Sequence, residues 1–186
     1  PLRIRNIDGQ RIRDRGRRMT TAPALADAPF DPRLLRDAFG CFATGVTVVT
    51  AQGPTGERVG LTANSFTSLS LDPPLLLFCP ANGASALPVL RESGRFAINI
   101  LDLDGQAVAD RFTQKGIDRF AEHDWEDWDG VPVLAAAKAA FACTLHADHD
   151  GGDHRIIVGR VTRLALDQSR EPLLYLHGRY RRVHVG

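Results

Sequence analysis

VGLTANSFTSLSLDPP, residues 59–74, is the stretch on which the reading of both fold and site turns. It opens as a strand, with Leu61 and Ala63 alternating with Thr62 and Asn64. Short hydrogen-bonding side chains then crowd together: Thr62, Asn64, Ser65, Thr67, Ser68 and Ser70 fall within nine residues. Asp72-Pro73-Pro74 stops the run, because proline removes an amide donor and fixes φ. Small hydroxyls beside Ala63 let a ligand approach the main chain and offer donors suited to a phosphate or a planar heterocycle. On composition alone, a Ser/Thr-rich strand on a solvated sheet face accounts for the same residues.

Working outward, Val46–Ala51 is a β-branched strand, and the turn Gly53-Pro54-Thr55-Gly56 returns it as a hairpin with the Val59 strand. Upstream, Asp31-Pro32 signals a helix start, with Leu34, Leu35, Ala38 and Phe39 as its apolar face and Gly40 or Gly45 able to end it. Downstream, Leu75–Cys79 and Phe96–Leu101 are short apolar runs expected as buried strands. Between them Ser85–Glu92 predicts a helix entered through Asn82 or Ser85, and Asp104–Phe112 predicts another. Trp125, Trp128, Val131 and Val133 mark a partly buried connection. The pattern then returns to β over Phe141–Ala147, the turn Asp150-Gly151-Gly152-Asp153, Arg155–Leu166, Leu173–Leu176 and Arg179–Val185. This order predicts a mainly β protein with short helices between hairpins, a closed or partly open barrel rather than a doubly wound sheet.

The 186 residues fit one domain with a substantial core. A net charge of +1 argues against a broad grip on nucleic acid or on an anionic membrane. Basic charge is concentrated instead between Arg3 and Arg18, where seven arginines face only Asp8 and Asp14. Residues 1–27 show no hydrophobic period and are expected to form a mobile, dispensable basic extension, with the natural start at Met19. No run approaches the roughly 20 apolar residues of a membrane helix, and no apolar signal region opens the chain. Cys41, Cys79 and Cys143 are too widely spaced for a zinc site or a disulfide frame. They fit reduced core thiols in a cytoplasm.

Several standard sites are missing: there is no G-x-G-x-x-G after a strand, no P-loop, no G-x-S-x-G and no H-E-x-x-H. His146–His154 holds three histidines and three aspartates in nine residues, which invites a metal. With Gly151-Gly152 as the loop, His149 is expected opposite His154 and Asp148 opposite Arg155, so a polar hairpin tip or a single functional histidine outweighs a metal. In Gly178-Arg179-Tyr180, the ring can stack on a heterocycle or pack inward.

Taken together, FATGVTVV (42–49), GLTANSFTSLSLDPP (60–74), CPANGAS (79–85), GDH (152–154) and GRY (178–180) resemble the flavin reductase family. These are the small reductase components of two-component flavin monooxygenases, and the likeness runs over about residues 28–186. The resemblance implies an FMN-binding split β-barrel, a Greek-key-like six-stranded barrel that is homodimeric, with flavin near the subunit interface. It places Thr62, Ala63, Asn64 and Ser65 along the flavin, and Ser68, Leu69 and Ser70 at the isoalloxazine edge. Asn82 and Ser85 match the loop and helix start near the ribityl phosphate. This chain has Gly83-Ala84 where the family more often has an Arg-Ser or Ser-Ser pair. His154 matches a histidine beside the nicotinamide and is the implied catalytic residue, and Tyr180 matches an aromatic closing that site.

The implied activity is hydride transfer from NADH or NADPH to FMN or FAD, with a partner monooxygenase receiving the reduced flavin and no metal. Such chemistry asks the protein for donors and a flat slot rather than a nucleophile. A split-barrel enzyme with permanently bound FMN, or a non-catalytic flavin-binding module, are the alternatives.

Overall fold

The computed structural model describes residues 3–5, 25 and 27–184, so nearly all of the expected basic extension lies outside the described residues. The elements in chain order are β1 (Arg3–Arg5), α1 (Pro32–Phe39), β2 (Thr44–Gly45), β3 (Thr47–Gln52), β4 (Arg58–Ala63), β5 (Thr67–Leu71) and β6 (Pro74–Phe78). There follow α2 (Ala86–Ser93), β7 (Arg95–Ile100), a single 3-10 turn, α3 (Gln106–Thr113), β8 (Trp125–Asp127) and β9 (Pro132–Leu134). The chain closes with β10 (Ala139–Gly151), β11 (His154–Leu166), β12 (Leu174–Leu176) and β13 (Arg179–His184). Two compact units result, residues 1–44 with 174–186, and residues 45–173.

In the first unit, α1 starts where the sequence predicts. Asp31 Oδ1 accepts from the Arg33 and Leu34 amides at 2.8 and 3.0 Å, satisfying two donors the helix cannot. Its apolar face is not a core face. None of its residues is buried, and Leu34 and Phe39 are 51% and 69% exposed. Cys41, just past this helix, is exposed as well, so the core role expected of all three cysteines is fully met only by buried Cys143. β12 and β13 join through His177-Gly178, with φ of 51° and 71°, the two left-handed positions of a tight hairpin turn. Tyr180 pairs with Tyr175 across it, the rings meeting edge to face at 5.5 Å.

The second unit is an antiparallel sheet of order β4-β3-β7-β10-β11-β6-β5. The predicted hairpin of β3 with β4 forms, with Thr47 opposite Ala63. Asp72-Pro73 is the turn that reverses β5 into β6, so Pro74 opens a strand, where its missing amide is tolerated. Seven strands are paired here rather than the six of the expected barrel, and the pairing does not close: β4 and β5 are the free edges. The outer edge of β4 is met by α3 instead, where the Thr62 hydroxyl donates to the Ala109 carbonyl at 2.6 Å.

Alternation along β7 sorts the core. Phe96 and Ile98 join Val49, Phe78, Leu87, Leu90 and Ile157 on one side, so α2 plugs that face. Ala97 joins Trp128, Val131, Val133 and Ala142 on the other. Buried Asn99 donates to the Val48 carbonyl at 3.0 Å and accepts from the Leu134 amide at 2.8 Å, fastening β9 to the sheet.

Gly159 on β11 makes room for Phe96. A Cβ there would lie 2.4 Å from the Phe96 ring and 3.0 Å from Cys143 Cβ. Gly159→Ala is therefore expected to destabilise the fold by about 1–3 kcal/mol, as overpacking does. Urea unfolding measures this, and an unchanged midpoint would show that the ring gives way freely.

Candidate functional site

Within residues 45–173, the expected site residues lie at the end of β4 and just beyond it, on β5, in the 80–85 loop and at the β10–β11 tip. β4 ends at buried Ala63, and Ser65 then ties the chain to the end of β6. The Cys79 amide donates to Ser65 Oγ at 2.9 Å, and that hydroxyl lies 3.2 Å from the Cys79 carbonyl. This bond fixes where the 80–85 loop begins. The loop lies along the β10–β11 tip: the Asn82 amide donates to the Asp153 carbonyl at 3.0 Å, and the Arg155 amide to Pro80 at 2.9 Å. The Asn82 side chain donates to the Gly152 carbonyl at 2.8 Å, and Ala81 bridges His154. Asn82 and His154, 72 residues apart in sequence (154 less 82), are thereby neighbours.

The hydroxyls divide into committed and available. Thr62 is bonded to α3 and Ser65 to Cys79, so these two hold structure with their side chains. Exposed Asn64, Ser68 and Ser85, and half-buried Ser70, make no side-chain hydrogen bond among the described residues. Ser68 and Ser70 flank a bulge in β5 that turns Leu69 outward, 50% exposed. Ser85 caps α2 by position only, so its hydroxyl stays available, whereas the Leu87 amide donates to the Ala84 carbonyl at 3.0 Å and Pro88 has no amide hydrogen. The available side-chain donors suit a flat heterocycle. The flavin expected from the sequence fits this donor set.

The hairpin tip departs from expectation in register. Its turn is Gly152-Asp153, with Gly152 at φ 82°, the left-handed conformation that glycine adopts freely, and the Gly152 amide donates to Asp150 Oδ1 at 3.1 Å. Gly151 thus faces His154, and His149 lies opposite Ile156 instead of His154. The Asp148–Arg155 ion pair forms all the same, at 2.7 Å, by a diagonal reach. Asp148 also meets Arg91 of α2 at 2.7 Å. Burial opposes ionisation of Asp148, but the two guanidinium bonds outweigh it and hold the carboxyl below its ordinary value. His154 Nδ1 lies 2.6 Å from Asp153 Oδ1, a bond that keeps the Asp153 carboxyl low and leaves Nε2 for a ligand.

Among the described residues no three His, Cys, Asp or Glu side chains are placed to hold a metal ion. The Asp148 and Asp150 carboxylates are occupied by arginine. The Cys79 and Cys143 thiols are poor nucleophiles, since burial pushes Cys143 up to about 12 and raises Cys79. A cavity of about 430 Å³ bordered by Asp102, Asp104, Glu122, His123, Asp124 and Arg170 contains none of the predicted residues. Its buried Asp102 is neutralised by Arg170 at 2.5 Å, a structural ion pair. Sequence reasoning missed the Asp148–Arg91 bond, because nothing local signals a pair 57 residues apart.

The unit is mainly β, with unbonded donors on β5 and at Asn64 and with His154 at the hairpin tip. Residues 39–184 match the family model described as the flavin reductase like domain, and the chain belongs to that family. The stachydrine N-demethylase reductase subunit Stc3 of Rhizobium meliloti (strain 1021) is 50% identical over 134 residues, 72% of this chain and 58% of that protein. The FMN reductase (NADH) SmoA of Agrobacterium fabrum is 47% identical over 151 residues, 81% of this chain and 85% of its own length. The solved structure of the Streptomyces globisporus C-1027 NADH:FAD oxidoreductase SgcE6 superimposes with a TM-score of 0.82 at 39% identity, covering 88% of this chain and 99% of that one. The chain spans about half the length of the first curated relatives it matches, 43% of one and 58% of another.

Asp148→Asn is expected to cost about 1–2 kcal/mol at pH 7, the range of a partly exposed charge-assisted pair. A lowered carboxyl stabilises only while ionised. The deficit is therefore full above the ordinary aspartate value of about 3.9 and closes as pH falls through the lower folded value. Urea midpoints of both proteins at pH 7 and at pH 3 check it, and a deficit that persists unchanged at pH 3 contradicts the electrostatic account.

Proposed function

We propose that this protein is an NAD(P)H:flavin oxidoreductase that passes hydride from a reduced nicotinamide to FMN or FAD and supplies reduced flavin to a partner monooxygenase. The observation that carries the reading is the docking of the 80–85 loop on the 152–154 tip. It brings Asn82 and His154 together in a domain whose family is that of flavin reductases. A bound flavin supplies the hydride acceptor, and the nicotinamide supplies the hydride. The chain's part is to bind and orient. Asn64, Ser68 and Ser70 offer donors to the ring edge. The Ser85 hydroxyl, which caps nothing, is offered to the anionic tail. His154, its Nδ1 held by Asp153, keeps Nε2 to hydrogen-bond the nicotinamide or to stabilise developing charge.

Relatives named as an FMN reductase (NADH) and as a demethylase reductase subunit support both the acceptor and the oxygenase partner. We take NADH as the first donor to test on the same ground. The architecture proposed is that of an FMN-binding split barrel, with residues 28–186 as the functional domain in the cytoplasm. Among the described residues no helix is long and apolar enough to cross a membrane.

Steady-state NADH oxidation with increasing FMN tests the activity. A rate saturating in added flavin is expected; a rate independent of it indicates permanently bound FMN, and no rate with retained binding indicates a flavin-binding module. His154→Ala is expected to lose about tenfold or more in hydride-transfer rate while keeping FMN affinity. EDTA and His149→Ala are expected to change neither. Normal turnover by His154→Ala removes the histidine from the proposal.

A homodimer is also proposed. Exposed Leu34, Phe39 and Phe42 on and just after α1 form apolar surface of the kind a second subunit covers. Sedimentation velocity at micromolar concentration is expected to show a dimer, and a monomer alone contradicts it.

A further inference from the structure

The β10–β11 hairpin outruns the sheet that supports it. β10 keeps β7 beside it only as far as Thr144, and β11 keeps β6 only as far as Ile157. From there to the Gly152-Asp153 turn the two strands run on as an arm, and a two-stranded ribbon is marginal by itself. A bulge between Leu145 and Ala147 bends this arm at its root. No residue from Thr144 to Ile156 is buried, so apolar packing does not fix where the arm points. Its direction is set by what ties it to the rest of the unit.

The ties run along α2. At the root, the Leu145 amide donates at 2.8 Å to the carbonyl of Gly94, the C-terminal cap of that helix. At the tip, Asn82 donates to the Asp153 and Gly152 carbonyls, and the Arg155 amide to Pro80. Between root and tip stands Asp148. Its Oδ2 meets Arg91 of α2 at 2.7 Å and its Oδ1 meets Arg155 of β11 at 2.7 Å. Among the described residues Arg91–Asp148 is the one ion pair joining α2 to the hairpin. The helix does not depend on it, because Leu87 and Leu90 are buried in the core. Removing the charge on Asp148 therefore frees the arm and leaves the helix in place.

We propose that Asp148 is a positioning residue for hydride transfer, tying the arm to α2 so that His154 stands at a fixed place against the 80–85 loop. The inference rests on the reductase reading and names what holds its histidine. Both Asp148 oxygens are taken by guanidiniums, so the residue acts through the tip and not on a cofactor. Arg155 completes the path: its side chain is held by Asp148, its amide by Pro80, and His154 is the next residue along. A contact made to the reacting groups loses its effect steeply when it is misplaced, which is why the tie matters to rate.

The test is a double-variant cycle on the intact protein with FMN and NADH, read as the hydride-transfer rate in a single turnover. The dissociation constant for FMN is measured alongside. Asp148→Asn is expected to slow hydride transfer about threefold to tenfold while FMN affinity stays within about twofold. Arg91→Gln, which cuts only the tie to α2, is expected to do the same, and Asp148→Glu to recover most of the rate. In the His154→Ala background, Asp148→Asn is expected to change the rate by no more than about twofold, because the group it positions is gone. The full loss repeated in that background overturns the inference, as does a wild-type rate in Asp148→Asn. FMN affinity lost together with the rate also overturns it, since the pair then supports the unit generally. Normal hydride transfer in His154→Ala removes the residue through which Asp148 is held to act, and overturns it too. A wild type that oxidises no NADH with added flavin overturns the reductase reading and the inference together.

Discussion

The long ladder between β10 and β11 is the constraint on which the rest of residues 45–173 depends. Each strand has 13 residues, and the two pair from Ala139 opposite Leu166 to Gly151 opposite His154. Its middle is core: Cys143 and Ile157 pack with Phe96 and Phe78, and Gly159 lets the Phe96 ring lie against the strand. The tip carries His154. Because a strand alternates faces at every residue, a slip of one position would exchange these two surfaces throughout. Bulges after Ala142 and Leu145 break that regularity, while the Gly152-Asp153 turn sets the register at the tip. The tip is thus only as well placed as the packing in mid-strand.

Asp148 converts that rigidity into position. Its carboxylate is bonded at once to Arg91 on α2 and Arg155 on β11, so helix and hairpin are held by one charge. The same helix presents Ser85 at its head and buries Leu87 and Leu90 against the sheet. Apolar burial fixes how deep α2 sits, and the ion pairs govern how the hairpin meets it. The 80–85 loop then closes onto the tip through main-chain bonds, which tolerate side-chain change. Against this frame the committed and available hydroxyls acquire distinct meanings. The Thr62 and Ser65 hydroxyls hold structure, while those of Ser68, Ser70 and Ser85 and the Asn64 amide stay without an internal partner.

Two arrangements of charge coexist in the unit. Around Asp102, Asp148 and Asp167 every carboxylate has an arginine, and the pairs are structural. Around Arg58 and Arg119 the partners are an aromatic face and carbonyls, so positive potential survives. An unpaired cation keeps its capacity to attract an anion, whereas a paired one has spent it.

Much of this was legible in the chain itself. Period-two alternation, the β-branched runs and the Gly and Pro punctuation located β3, β4, β6, β7, β10 and β11, because those signals act within a few residues. The Asp31-Pro32 start of α1 was legible for the same reason: a cap is a local bond. The five segments quoted from residues 42–180 carried the family, since their order and spacing are properties of the sequence. What lay beyond it were the facts that depend on which elements meet. The exposure of the apolar face of α1 is one of them, since amphipathic spacing does not say what covers a face. The tip register could not be counted from Gly151-Gly152, because either glycine can take the left-handed turn position and the surrounding bonds select Gly152. Nor does spacing show that Thr62 and Ser65 are bound internally, or that Asn82 lies on the 152–154 tip. Composition and order determined the kind of protein. Tertiary packing alone decided which donors remained free and which arginines stayed unpaired, because a hydrogen bond is settled by distances between residues far apart in the chain.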